Sequence, residues 1–356
     1  MIGWNVAGKV RAKPACGNET SVGTVSAGSE VKRLFHGTWL ALMLVGLIAV
    51  QSPASAQSLS RETPSWLQQH VGTGEGQIAP VVLERARDLY RQQVRRAGVR
   101  NPCYMAMDAT RPSTSSRGTP TQRYYIICEE QGSFTAVSSG YGNGRSIPGA
   151  DFSNGRECAR HFSNALGSNL TMGGAYLTAE ARTSHKGYIR QGGQTVPFNR
   201  TFLVFDGMRE TSNARDRAIG GHMAAFVRSQ CRMSVPSSPH ADEDGFVRLG
   251  RLIDYTSGRS NGCTTWSEDV SQQIISLVDG NRTSLYIYPE SRDINAIATS
   301  VNNGRSPSVD GHYWNSSCLN QIGAPRFWPK RQLEPIIREW RASLPAPNYS
   351  PLPICQ

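Results

Sequence analysis

The chain has 356 residues, of which 38% are hydrophobic and 18% charged, so it has the composition of a globular protein and room for one large or two small domains. Its 35 glycines and 20 prolines require many turns, which favours a β-rich α+β fold and argues against a helical bundle. The net charge is +11, but the arginines are scattered and no basic run is interleaved with aromatic residues, so the charge does not indicate a nucleic-acid-binding protein.

The N-terminal part has the features of an export signal. A basic pair at 32–33 precedes an apolar run at 38–50, and the small residues 54–56 (ASA) form a cleavage motif. The run is shorter than the roughly 20 residues of a membrane-spanning helix, although an uncleaved anchor remains an alternative. We therefore expect residues 1–56 to be a signal peptide behind an N-terminal extension, with translation starting near Val31 and a mature chain in the periplasm.

The segments that follow predict a linker, a helix and a series of strands. Residues 57–78 are polar and typical of a linker, and residues 80–97 predict a helix because Pro80 suits a first turn and Gly98 a stop. Short apolar runs that predict strands lie at 103–107, 124–128, 134–138, 174–178, 202–205, 218–227, 249–255 and 284–288. Further helices are predicted at 267–277 and, in the C-terminal tail, at 333–344.

The cysteines beyond the expected cleavage site are odd in number. Export permits disulfides, so an odd count leaves at least one thiol free in the mature chain. Cys103 and Cys128 lie on neighbouring predicted strands, and we pair them. If Cys263 is the free thiol, the pairs Cys158–Cys231 and Cys318–Cys355 follow by elimination, as one of many possible connectivities.

Cys263 is the residue most typical of a reactive site. It ends the run 258–263 (GRSNGC), and a helix is predicted at 267–277 just beyond it. A glycine turn lets backbone N–H groups point at a developing oxyanion, and a helix N-terminus that points at a thiol favours its thiolate. We therefore interpret Cys263 as a nucleophile.

A nucleophilic cysteine needs a base, and His222 is the favoured candidate. A lone histidine in an apolar strand is more commonly a core residue, but the cysteine turn downstream reverses that preference. His240 is a rival base in a polar loop, where a solvated histidine is the ordinary expectation. Neither C-x-x-C nor H-x-x-x-H spacing occurs, so we expect no metal and no cofactor. The glycine-rich stretch at 140–144 lacks a βαβ setting and is better explained as a loop.

Three blocks, in order, resemble the L,D-transpeptidases, in the branch described as murein L,D-transpeptidase catalytic domain, YkuD-like type 2. They are 173–178 (GGAYLT), 213–219 (NARDRAI) leading into His222, and 258–263 (GRSNGC). The resemblance covers roughly residues 100–290. The chain departs from the family in an insertion at about 229–245 that carries Cys231, and in having Asn-Gly-Cys where many members have His-Gly-Cys.

The resemblance implies a YkuD-like β-sandwich catalytic core with peripheral helices at 99–290. The linker and helix at 57–98 would precede it, and the extension at 291–356 would pack on it. It also implies an enzyme that acts on peptidoglycan stem peptides, which we expect to be a monomer that binds no nucleic acid. Papain-like enzymes place cysteine before histidine, and sortases have a different nucleophile motif, so both fit less well.

The resemblance assigns roles to the quoted residues. Cys263 would form a thioester with a stem peptide, and His222 would take the thiol proton and later that of the acceptor amine. Gly262 and Ser260 would stabilise the oxyanion or orient the histidine. The candidates for substrate binding are Arg259, Asn261, Tyr176, Arg215 and Arg217, although the arginines could equally form structural ion pairs and Tyr176 could simply pack. The product could be a diaminopimelate–diaminopimelate link, an L-Ala–diaminopimelate link, a trimmed stem or a detached lipoprotein. A non-enzymatic alternative is a wall-binding module in which Cys263 forms a disulfide.

Overall fold

The computed structural model describes residues 62–254, 259–305, 311–346 and 350–356. Most strands of this part belong to one mixed sheet, and helices cover it, which confirms a β-rich α+β fold. The described strands are β1 (Tyr104–Asp108), β2 (Gln122–Cys128), β3 (Ser133–Ser138), β4 (Tyr141–Gly142), β5 (Ser146–Ile147), β6 (Ala150–Asp151), β7 (His161–Phe162), β8 (Gly174–Gln191), β9 (Gln194–Gly207), β10 (Gly220–Met223), β11 (Ala225–Ser234), β12 (Phe246–Asp254), β13 (Arg259–Ser260), β14 (Thr264–Trp266), β15 (Ser284–Tyr288) and β16 (Arg326–Phe327). The described helices are α1 (Ser65–Gln68), α2 (Pro80–Arg95), α3 (Glu268–Val278), α4 (Ser291–Asn302), α5 (Ser316–Ile322) and α6 (Lys330–Ser343), with a 3-10 turn at Arg209–Thr211.

The main sheet runs in the order β14-β10-β9-β8-β15-β1-β2-β3. The pairs β10–β14 and β1–β15 are parallel, and the other pairs along this path are antiparallel. The hairpin β11–β12 branches off because β12 pairs in parallel with the outer half of β8. In chain order the hairpin follows β10 and precedes β13.

Each predicted strand position falls on an observed strand, but the extents differ. The runs at 174–178 and 202–205 are the inner ends of one long hairpin, β8–β9, whose outer half carries polar residues on both faces and so lacks a strand signal. The run at 218–227 breaks into β10 and β11. In the tail, where one helix was predicted, the described residues form three.

The centre of the sheet is buried on both faces, because successive side chains of a strand point in opposite directions. Tyr104 and Ala106 of β1 face α2, while Met105 and Met107 face the opposite layer. Helix α2 buries its apolar stripe here, as its spacing predicted, and its residues Val82, Leu83 and Ala86 are almost fully covered.

The opposite face of the sheet is covered by helices from the second half of the chain. Ile274 of α3, Ile294 and Ile297 of α4 and Leu319 of α5 share one core with Phe205 and Trp266. An ion pair of 2.6 Å between Arg85 and Asp293 also ties α2 to α4. The C-terminal extension thus supplies part of the core that supports β9 and β14.

The disulfides confirm one predicted pair and correct two. Cys103–Cys128 joins the ends of β1 and β2, as expected from neighbouring strands. The other bridges are Cys158–Cys318 and Cys231–Cys355, so both pairs inferred by elimination were wrong. The sequence separations are 160 and 124 residues, a range over which spacing carries no information about partners.

Candidate active site

The cysteine turn is a short connection between two strands of the site. Ser260 ends β13 and Cys263 immediately precedes β14. The Ser260 hydroxyl donates to the carbonyl of Cys263 at 2.6 Å and accepts the N–H of Gly262 at 3.1 Å. One side chain therefore holds both ends of the turn.

Gly262 cannot readily be replaced in this turn. Its φ is +109°, a conformation that side-chain-bearing residues rarely adopt. A Cβ atom there would lie 2.9 Å from the carbonyl oxygen of Leu170 and 3.1 Å from Ile219 Cδ1. The turn thus packs directly on the loop before β8 and on the chain entering β10.

The parallel pairing of β10 with β14 brings His222 to the cysteine turn. His222 lies opposite Thr265, and Gly221 lies opposite Thr264. Because side chains alternate along a strand, His222 shares a face with Thr265 and, one register step earlier, with Cys263. The Cys263 Sγ atom also lies 3.6 Å from the carbonyl oxygen of Ala218, two residues before β10.

The ring of His222 is buried and held through Nδ1. Nδ1 lies 2.7 Å from the carbonyl oxygen of Met223 and 2.5 Å from Nη2 of Arg200. Phe202 stacks on the ring with a centroid distance of 5.9 Å. Burial, together with the Arg200 cation, lowers the pKa of His222 to about 3, so the ring is neutral at physiological pH.

Cys263 is fully buried and is disulfide-bonded in this structure. The expectation that Cys263 is the free thiol concerns the mature chain, after loss of residues 1–56, and stays a prediction. Nucleophilic chemistry at this position requires reduction or exchange of that bond first.

The segment that holds His222 and the cysteine turn lies within a match to a known family. The model of the L,D-transpeptidase catalytic domain matches residues 75–288, more than half of the chain. The chain belongs to the L,D-transpeptidase catalytic domain family. No curated protein and no solved structure matches it.

Membership in the L,D-transpeptidase family and the disulfides among the described residues together indicate an extracytoplasmic protein. The expected signal peptide at 1–56 lies outside the described residues. Among the helices that the structure describes, none has the length and apolarity to cross a membrane. In the same part of the chain, no group of three or more His, Cys, Asp or Glu side chains is placed to hold a metal ion.

The predicted substrate residues of the L,D-transpeptidase domain separate into different environments. Arg215 forms a bidentate ion pair with Glu180 and a second pair with Asp206, on the surface of the β8–β9 hairpin. Tyr176 is buried, and its hydroxyl donates to the carbonyl of Met172 at 2.7 Å. Both positions thus match the structural alternatives that the sequence left open for them.

Two other predicted substrate residues lie at the cysteine turn or directly beneath it. Arg217 is buried and donates to the carbonyl of Leu170 at 2.5 Å, the same carbonyl that packs against Gly262. Asn261 is exposed on the turn, and its amide lies 3.0 Å from that of Asn169. The side chain of Arg259 lies outside the described residues, while its backbone pairs with Tyr141.

The rival base His240 lies in the loop that closes the β11–β12 hairpin, at the end opposite the strands that join the site. Its ring packs against Tyr188 at 5.7 Å, and its backbone N–H donates to Ser238. The geometry therefore favours His222, which lies beside the strand that Cys263 opens.

Sequence analysis missed three supports of the site. Arg200, the Met223 carbonyl and the loop around Leu170 all contact the site residues, yet none belongs to a motif. The one available signal was the glycine-rich stretch at 140–144, since Tyr141 and Gly142 pair with β13. The interpretation of that stretch as a loop is therefore incomplete, because Tyr141–Gly142 forms β4.

Proposed function

We propose that this protein is an exported peptidoglycan L,D-transpeptidase that forms cross-links through a thioester on Cys263. The observation that supports it most is the β10–β14 pairing, which places His222 and Cys263 on one face of neighbouring strands. The carbonyl of Met223 can orient the imidazole through Nδ1, which leaves Nε2 to exchange protons with the thiol.

The chemistry follows from these groups. His222 takes the proton of the Cys263 thiol, and the thiolate attacks a peptide carbonyl carbon of the stem. The C–N bond breaks, the leaving amine receives the proton from His222, and a thioester remains. An acceptor amine, which gives its proton to His222, then attacks the thioester, and the thiolate leaves as the new amide forms.

Oxyanion stabilisation is proposed from the backbone of the cysteine turn, at Gly262 and Cys263. The Gly262 N–H donates to Ser260 Oγ in this structure, so it must leave that hydroxyl to reach an oxyanion. Asn261, exposed at the turn, is positioned to contact the stem peptide. We assign no cofactor or metal to this reaction.

The first test is removal of the nucleophile and the two candidate bases. In the reduced protein with purified peptidoglycan, Cys263→Ala should abolish product, and His222→Ala should lower the rate by about 10²–10⁴-fold. His240→Ala should keep the wild-type rate. Activity retained in Cys263→Ala would refute the thioester, and an inactive His240→Ala with an active His222→Ala would transfer the role of base to His240.

Product analysis separates the possible reactions of this site. Muropeptides with diaminopimelate–diaminopimelate links or L-Ala–diaminopimelate links would establish transpeptidation, whereas shortened stems without new dimers would establish a carboxypeptidase or endopeptidase. Release of a wall-linked lipoprotein would establish detachment.

One observation favours the non-enzymatic alternative of a disulfide-stabilised wall-binding module, namely that Cys263 is disulfide-bonded in this structure. Thiol titration of the unfolded, unreduced mature protein distinguishes the two. One thiol per chain, located at Cys263 by mass spectrometry, supports the enzyme. No thiol in a monomeric mature chain would remove the nucleophile.

A further inference from the structure

The Nδ1 atom of His222 faces two groups with opposite requirements. The Met223 carbonyl, 2.7 Å away, can only accept a hydrogen bond, while the Arg200 guanidinium, 2.5 Å away, can only donate one. A neutral imidazole carries its proton on either Nδ1 or Nε2, so Nδ1 can satisfy one of these partners at a time.

The two choices have different chemical consequences. With the proton on Nδ1, the ring donates to Met223, and Nε2 holds a lone pair that can take the thiol proton. With the proton on Nε2, Nδ1 accepts from Arg200, and the ring has no lone pair to offer the thiol. Arg200 therefore competes with the arrangement that catalysis requires.

Arg200 is held in this position by the local fold. It is 3% exposed, and its Nη1 donates to the hydroxyl of Ser184 at 3.0 Å. Ser184 lies at a β-bulge of β8, between the paired positions Thr183 and His185, and its hydroxyl donates to the Arg200 carbonyl at 2.9 Å. Bulges often redirect side chains next to active sites, and this one clamps the arginine against the histidine.

Among the described residues, charged and titratable groups face His222 or lie on the elements packed around it. Arg200 on β9 is the cation at the ring, and Cys263 precedes β14. His185, opposite Arg200 on β8, is buried with its pKa lowered to about 4 and is therefore neutral. The acidic residues of α3, Glu268 and Asp269, lie on its exposed first turn. Arg200 thus dominates the electrostatics of the base.

We propose that Arg200 is a positioning residue that controls which nitrogen of His222 carries the proton, and that it restrains formation of the Cys263 thiolate in the free enzyme. This inference rests on the proposed function, because it assumes that His222 serves Cys263. Arg200 touches neither substrate nor reacting atoms in this scheme and acts only through the ring.

The test combines ¹⁵N NMR of labelled histidine with thiol alkylation, both on the full chain with Cys263 reduced. In the wild type at neutral pH, His222 should carry its proton on Nε2. In Arg200→Met the proton should move to Nδ1, and the pKa of His222 should rise by about one to three units, because a buried cation has gone. The His222→Phe spectrum identifies the signal.

The rate at which iodoacetamide alkylates Cys263 measures how strongly Arg200 restrains formation of the thiolate. At pH 7 the rate in Arg200→Met should exceed that of the wild type by about tenfold or more, because the imidazolium that forms together with the thiolate no longer faces the Arg200 cation. Mass spectrometry of the Cys263 peptide measures it. Arg111→Met is the matched control: it removes another buried arginine, one that donates to the backbone carbonyls of Gln77 and Thr73, and it should leave the tautomer of His222 unchanged.

A wild-type His222 protonated on Nδ1 would overturn the proposal, and so would an Arg200→Met variant with unchanged tautomer and alkylation rate. If Arg200→Met does not fold, Arg200→Gln provides the same comparison, and the wild-type spectrum is decisive by itself. Neither readout needs a cell-wall substrate, so a failure of transpeptidation and a failure of this proposal can be told apart.

Discussion

Gly262 and Ser260 together determine the shape of the cysteine turn. Gly262 supplies a backbone conformation at φ +109°, and Ser260 closes the turn through two hydrogen bonds. The carbonyl of Leu170 packs against the turn from below and is itself held by buried Arg217. Cys263 therefore lies on a support that extends to two other segments of the chain.

Gly262→Ala should remove activity and destabilise the protein by about 1–3 kcal/mol, because the new methyl meets a backbone oxygen in a strained conformation. Acylation of the reduced variant and its thermal unfolding measure the two effects.

Gly280→Ala is the control, since Gly280 also has a positive φ of +64° but open space around its Cβ position. It should cost about 1 kcal/mol and leave acylation intact. Equal acylation by Gly262→Ala and wild type would show that the turn relaxes around the methyl.

At the scale of elements, the β11–β12 hairpin connects the strand of His222 to the turn of Cys263. The chain leaves β10 directly into β11, and β12 returns to the segment before β13. The C-terminal residues clamp the middle of this hairpin: Cys355 bonds to Cys231, the Arg232 N–H donates to the Pro353 carbonyl, and the Cys355 N–H donates to the Arg232 carbonyl. Residues 353–355 thus restrain the hairpin that carries Cys231.

The double variant Cys231→Ser/Cys355→Ser should lower the free energy of unfolding by about 2–5 kcal/mol, because the bridge no longer restricts the unfolded chain. It should also speed amide hydrogen exchange in β11 and β12, where the clamp acts. Hydrogen exchange with mass spectrometry and denaturant unfolding measure these changes.

The matched control is Cys158→Ser/Cys318→Ser, which opens a loop of similar size, with a separation of 160 residues against 124, at the other side of the fold. This control variant should lose a similar amount of unfolding free energy, and amide hydrogen exchange in β11 and β12 should stay unchanged. If both variants change hairpin exchange equally, the clamp has no local role.

At the scale of the whole molecule, the part of the chain that the structure describes buries three neutral histidines, and this makes the stability of the protein sensitive to acid. The pKa of His222 is lowered to about 3, and burial lowers those of His161 and His185 to about 4, against an ordinary value of 6.5. Below pH 6.5 the unfolded chain therefore binds up to three protons that the folded chain does not, so stability falls as pH falls.

Denaturant unfolding at a series of pH values should show little loss above pH 6.5 and a slope of up to about 4 kcal/mol per pH unit near pH 5. His185→Phe removes one of the three buried imidazoles, and the ring of the new phenylalanine can keep the contact with Phe198. Its slope should be smaller by about a third. An unchanged slope would mean that His185 is charged in the folded protein.

Much of the fold was accessible from local patterns. Helix α2 and the central strands follow from periodicity, since their burial depends on residues close in sequence. The outer half of β8–β9 and the first tail helices were missed because their residues are polar or mixed, and they become ordered through contacts with β12 and with the sheet.

In the candidate site, too, some features follow from local sequence and others from the tertiary structure. The sequence by itself determined the family, the cysteine turn and the candidate base, because turn chemistry and motif spacing are local. Only the tertiary structure decided the pairs Cys158–Cys318 and Cys231–Cys355, that Tyr176 packs in the core, that Arg215 forms surface ion pairs, and that Arg200 lies against His222. Each of these depends on residues brought together by strand register and long loops, and proximity of that kind leaves no trace in a single sequence.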